Sequence, residues 1–177
     1  IDTQNNKPYN YFMAVIFPHD ELQILSYNRV IKDLNGLSEA EYLQCLESSF
    51  RISPMPEVRW PRENGTYSML LNNIWYKLAV KPGIKSHDPV ESLDTSILQN
   101  NLLNPILEIN DPRTDDRIDF IGGIRGLEEL ERRCSLDAKV AFALYPVSIL
   151  DLMAVADAGK VLPPKSTWFE PKLKSGL

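Results

Sequence analysis

The chain has 177 residues, 44% of them apolar, and a formal charge of −5. That length can bury a sizeable core without crosslinks, and the acidic balance argues against a protein that grips nucleic acid through a broad basic face. No apolar run approaches the roughly 18 residues that a membrane-spanning helix requires.

Ile1 opens the chain without a Met, and a short polar leader follows, as suits a segment cut from a longer polypeptide. Residues 11–17 are apolar and β-branched, Pro18-His19-Asp20 interrupts them, and 22–31 alternates, which predicts a two-stranded hairpin. Ser38 with Glu41 forms a capping box, and Leu37 with Tyr42 is placed as its hydrophobic staple. The helix behind it carries Tyr42, Leu43, Leu46 and Phe50 on one stripe. Cys45 lies in this helix and Cys134 in a later one, far apart and without metal-ligand spacing. Both therefore read as reduced core residues of a cytoplasmic protein.

Residues 53–64 hold three prolines and read as a surface loop or mobile flap. Strands over 66–71 and 74–80 flank Asn72-Asn73, a pair that tolerates the positive φ of a two-residue turn. After a loop at 82–89, Asp94 is placed to cap a helix bearing Ile97, Leu98, Leu102 and Leu103, which Pro105 helps to end. A short strand at 118–121 closes on Gly122-Gly123, and Leu127, Leu130 and Cys134 mark a brief amphipathic helix. Residues 140–145 are almost continuously apolar, the pattern of a central strand covered on both faces. Ser148 and Asp151 make a second capping box for a helix apolar nearly all round, which predicts deep burial, with Gly159 just past its end. The expected fold class is α+β: one domain over 1–177, with a mixed, largely antiparallel sheet, hairpins and about four packed helices.

Chemistry concentrates in two places. From Lys160 onward four lysines face one carboxylate, a balance of +3 in an acidic chain, and Lys165-Ser166-Thr167 sets an ammonium beside two hydroxyls. Two prolines precede the triplet and the glycines of a phosphate-wrapping loop are missing, so a looser anion site and a solvated loop both stand open. The second place is Asn28, Arg29 and Lys32, where a guanidinium could hold a phosphate or carboxylate in two-point contact. The plainer reading is an Arg29–Asp33 salt bridge; convergence of Arg29 with Lys165 would favour the anion.

Asp111, Asp115, Asp116 and Asp119 alternate with Arg113 and Arg117 and lack EF-hand spacing, so they read as a self-neutralising loop and not as a metal site. His19 and His87 have no second His or Cys nearby, which argues against zinc, and no nucleophile elbow occurs. No cofactor can be assigned.

Tyr27-Asn28-Arg29-Val30-Ile31-Lys32-Asp33-Leu34-Asn35-Gly36-Leu37 and Pro163-Pro164-Lys165-Ser166-Thr167-Trp168-Phe169-Glu170-Pro171-Lys172-Leu173 closely resemble signature stretches of the domain of unknown function 1015 family of bacteria and archaea. Phe12-Met13-Ala14-Val15-Ile16-Phe17-Pro18 and Trp75-Tyr76 are similar too. The resemblance implies the carboxy-terminal portion of a longer, uncharacterised protein. In that family the amino-terminal half carries an Asp-Gly-His-His-Arg motif similar to that of the ParB-like nucleotidase and free-serine-kinase superfamily, and no such string occurs here. It further implies that this portion completes a pocket shared with the remainder of the full-length chain; with the residue chemistry above, Asn28, Arg29, Lys32, Lys165, Ser166 and Thr167 are the expected anion or phosphate ligands. The ligand would be a phosphorylated metabolite or nucleotide, with serine or phosphoserine metabolism as the context, and enzymatic phosphotransfer would need the other half. The alternative is a structural or homo-oligomerisation module anchored by Trp168 and Phe169.

Overall fold

The computed structural model of the chain describes Tyr11, Ala14, Ile16, Pro18 and residues 20–170. The expected strand at 11–17, His19 and the last lysines of the tail therefore lie largely or wholly outside the described residues. An antiparallel sheet of six strands forms the centre, in the order β3-β5-β4-β7-β2-β6. Its strands are β2 (Tyr27–Ile31), β3 (Phe50–Pro54), β4 (Thr66–Leu71), β5 (Ile74–Val80), β6 (Ile118–Gly122) and β7 (Val140–Leu144). A separate antiparallel pair joins β1 (Gln23–Leu25) to β8 (Trp168–Glu170). Four helices complete the described part: α1 (Glu39–Leu46), α2 (Asp94–Leu98), α3 (Glu128–Leu136) and α4 (Ile149–Asp157). No helix among the described residues is long and apolar enough to cross a membrane.

Alternation along the strands divides the core. Ile31, Tyr67, Met69, Phe142 and Leu144 face α1 and α2, where Tyr42, Leu46, Ile97 and Leu98 meet them. Val30, Leu70, Ala141 and Ala143 face the other way, onto Leu127 and Leu130 at α3. All five residues of β7 are buried, as a central strand covered on both sides requires. The β4–β5 hairpin turns through Asn72 and Asn73 at φ 48° and 61°, the left-handed pair that matches strand twist.

Both capping boxes form. Ser38 Oγ accepts from Glu41 N at 3.3 Å while Glu41 Oε2 accepts from Ser38 N at 2.9 Å, and Ser148 with Asp151 repeats the exchange. Ser38→Ala is expected to cost about 1 kcal/mol, read from denaturant midpoints, because one orphan donor of the first turn loses its acceptor.

Five expectations are corrected. The run over 22–31 is not one strand: it breaks at buried Ser26, β1 leaves to pair with β8, and β2 enters the main sheet. Residues 50–54 form β3, so Phe50 belongs to that strand and not to the stripe of α1, which ends at Leu46, and the loop is shorter than its prolines suggested, because Pro54 occupies the strand's end. Helix α4 is not deeply buried. Only Val155 is fully covered, in a small cluster with Leu93 and Val147, while Leu150 and Met153 stand 72% and 51% exposed. Cys45 is exposed and Cys134 half-buried; both are free thiols, and burial pushes the Cys134 thiol up to about 11.

Candidate functional site

Strand β2 lies between β7 and β6, so Arg29 stands in register with Phe142 on one side and Phe120 on the other. The period of two sends Arg29 to the same face as Ile31 and leaves it 4% exposed. Its guanidinium carbon is 5.2 Å from the Phe120 ring centroid, Nη1 donates to Tyr27 O, and Nη2 donates to Lys165 O at 3.1 Å. Among the described residues no carboxylate comes within 4.0 Å of it: the expected partner Asp33 instead faces Arg117 at 3.7 Å. Burial lowers the Arg29 pKa to about 10, nearby Tyr67 acts in the opposite sense, and the group stays cationic at neutral pH.

The Pro163-Pro164-Lys165-Ser166 turn meets it. Lys165 adopts φ 55°, a left-handed conformation that a residue with a Cβ holds only when its surroundings impose it. Ser166 supplies that constraint from inside: it is buried, its Oγ donates to Pro163 O at 2.7 Å, and it lies 3.3 Å from Thr95 Oγ1. Beyond the turn, β8 is held to β1, and Trp168 meets the Tyr27 ring edge-on at 5.3 Å. The Lys165 carbonyl thus points to Arg29, while its exposed ammonium rests 5.2 Å from the Tyr27 ring centroid. Thr167 is half-buried, and its hydroxyl has no hydrogen bond among the described residues.

A cleft of about 410 Å³ opens beside the guanidinium, bordered by Arg29, Thr95, Gln99, Pro163 and Pro164 and also by the paired Asp111 and Arg113. Gln99 begins a π-turn segment, Gln99–Leu103, closed by Asn104 N to Gln99 O at 3.0 Å. Such widened turns re-aim side chains at functional sites.

The six expected site residues separate into three groups. Arg29, Lys165 and Ser166 come together, with Thr167 next to them. Asn28, one residue out of phase, is fully buried, and its Oδ1 accepts from Ser26 Oγ at 3.2 Å and Leu144 N at 3.3 Å. Lys32 stands beyond the far end of β2, within electrostatic reach of Asp137. The acidic loop pairs internally and with α3: Asp111 with Arg113, Asp115 with Arg117, and Asp119 with Arg133.

The first turn of α2 escaped the sequence reading. Asp94 is not the cap of that helix, a place Leu93 takes; its Oδ1 instead accepts from Gly65 N at 2.7 Å, and Oδ2 is buried without a partner among the described residues. Burial, opposed by the Gly65 N–H and Lys85 and reinforced by Asp151, pushes its carboxyl up to about 7. Tyr67 OH donates to Asp94 O at 2.9 Å. The available signal was a polar run, Asp94-Thr95-Ser96, directly before an apolar helix face; all three prove buried.

A family model described as "Protein of unknown function (DUF1015)" matches residues 2–96. No curated protein matches the chain. Among solved structures, two point variants of free serine kinase in complex with AMP are similar in fold, each with a TM-score of 0.50. They are 17% and 16% identical, and the match covers 85% of this chain and 55% and 54% of theirs. A conserved hypothetical protein from Pyrococcus furiosus is 13% identical with a TM-score of 0.48, over 84% of this chain and 56% of that one. The chain thus spans about half the length of the structures it matches.

Proposed function

The chain belongs to the DUF1015 family of proteins of unknown function, and on that premise we propose that it contributes an anion-binding wall to a site for a small phosphorylated ligand. Arg29 and Thr95 border the cleft, Lys165 and Thr167 sit on the turn at its edge as the further ligand groups, Ser166 holds that turn in place, and the rest of the site belongs to further chain of a longer protein. Asn28 and Lys32 act on this reading only through the strand that carries Arg29. The free serine kinases similar in fold are complexed with AMP, which accords with a nucleotide or phosphorylated metabolite; serine or phosphoserine chemistry is the narrower form of the proposal.

One observation carries it. Arg29 is a buried cation whose only polar partners among the described residues are two main-chain carbonyls, and it borders an open cleft. Removing a charge from water without an opposite charge is costly, and an incoming anion would repay part of that cost. The contribution is electrostatic clamping, with no proton transferred.

The test is titration of the longer protein with inorganic phosphate, followed by calorimetry. Lys165→Ala and Thr167→Val should each weaken binding, the first by roughly tenfold as a charge-assisted contact. Arg29→Lys keeps the charge and loses the forked geometry, so it too should bind more weakly. If the lysine and arginine variants both titrate like the parent protein, the reading fails.

A further inference from the structure

A second cavity, of about 560 Å³, lies between the sheet and the proline-rich segment after β3. Tyr67 and Ser68 of β4 and Lys77 of β5 border it below, and Met55, Trp60 and Arg62 border it from the arch above. The arch is pinned along its length. Met55 N donates to Trp75 O at 2.8 Å, Ser68 Oγ to Arg59 O at 2.6 Å, and Thr66 Oγ1 to Glu63 O at 2.7 Å. Pro54, Pro56 and Pro61 restrict the backbone at and between those pins, so the space is built into the fold.

Its lining has a definite chemistry. Trp60 is 36% exposed, and its indole N–H has no acceptor among the described residues, whereas Trp75 Nε1 donates to Glu131 at 3.0 Å and Trp168 Nε1 to Glu170 at 2.9 Å. Arg59 pairs with Glu57, and Lys77 faces Glu63 at 3.9 Å. Arg62 has no carboxylate within 4.0 Å among the described residues, so the cavity keeps one guanidinium in excess. A flat indole and an unpaired guanidinium lining one cavity suit a conjugated ring that stacks on the first and carries an acid group for the second.

We infer that this cavity binds a small planar aromatic anion, its ring against Trp60 and its acid group on Arg62. The site is separate from the Arg29 cleft and does not depend on the reading given to that cleft.

Anilinonaphthalene sulfonate, a planar aromatic anion, is the probe, added to the intact chain and followed by dye fluorescence and by the indole N–H signals in a ¹H–¹⁵N spectrum. The expected result is one saturable site at which the Trp60 signal moves while those of Trp75 and Trp168 stay. Arg62→Gln should weaken it roughly tenfold, Trp60→Ala should abolish saturation, and Arg29→Lys should leave it unchanged. Both arch side chains reach solvent, and unmoved Trp75 and Trp168 signals in the variants confirm that the fold persists. Dye that binds without saturation, that perturbs α4 in place of Trp60, or that binds both arch variants as tightly as the parent overturns the inference. Inorganic phosphate should not compete; competition at Trp60 by phosphate alone would overturn the aromatic requirement.

Discussion

Asp94→Asn should flatten the stability of this protein between about pH 4 and pH 7 and raise it above pH 7. The folded-state pKa of Asp94 lies near 7, against an ordinary value of 3.8, so the native state binds its proton more tightly than the unfolded chain does. Stability from this group is fully present below about pH 4 and is lost as the pH rises through about 7, because ionisation then places a charge where water cannot reach it. The shift corresponds to an upper limit on the order of 4 kcal/mol. Asparagine keeps an oxygen for the Gly65 N–H and removes the ionisation. Denaturant midpoints at several pH values would therefore converge at the acid end and separate at the alkaline end. Parallel curves for parent and variant would show that Asp94 titrates as an ordinary surface carboxyl.

Gly122→Ala should destabilise the fold by about 1–3 kcal/mol, as overpacking does, and loosen the Lys165 turn with it. The backbone there, at φ −60° and ψ 135°, accepts any residue, so conformational strain plays no part. The obstacle is Trp168: a Cβ on Gly122 would stand 3.0 Å from Cδ2 of the indole and closer still to Cε3 and Cζ3. That ring cannot swing away cheaply, since it also meets Tyr27 at 5.3 Å and its Nε1 is bonded to Glu170 at 2.9 Å. A displaced Trp168 disturbs β8 and, three residues upstream, the left-handed Lys165. The cost should shrink when Trp168→Ala is combined with Gly122→Ala, a coupling that a double-mutant cycle measures directly. Equal costs in both backgrounds would mean that the ring does not press on Gly122.

What could be read in advance follows the range of the forces involved. The capping boxes at Ser38 and Ser148, the Asn72-Asn73 turn and the buried run of β7 are local patterns, each settled within a few residues, and all four are present. Helix α4 was misjudged for the opposite reason. Its composition is that of a buried helix, but burial depends on what other elements supply, and Val155 alone is fully covered within it. Cys45 failed likewise: a small apolar residue in an amphipathic helix can fall on either side of its stripe boundary.

The site divides along the same line. Its residue types and two of its segments were legible, because an arginine in a strand and a Lys-Ser-Thr turn in an acidic chain are unusual company. Their meeting was not, since Arg29 and Lys165 are joined by a hydrogen bond across 136 positions. The roles within the triplet also came from packing. Ser166 turns inward to Pro163 and Thr95, and so positions the turn. Thr95 and Asp94 entered from a helix whose start looked like ordinary capping.

Helix starts, the central strand, the hairpin turn and the inventory of cations and hydroxyls follow from the amino-acid order alone, since propensity, capping and periodicity act over one or two turns of chain. Long-range packing set which of those cations lost its water, which hydroxyl was consumed as a brace, and that Asp94 holds a proton near neutrality. Desolvation is a property of everything packed around a group, and no short window of residues contains it.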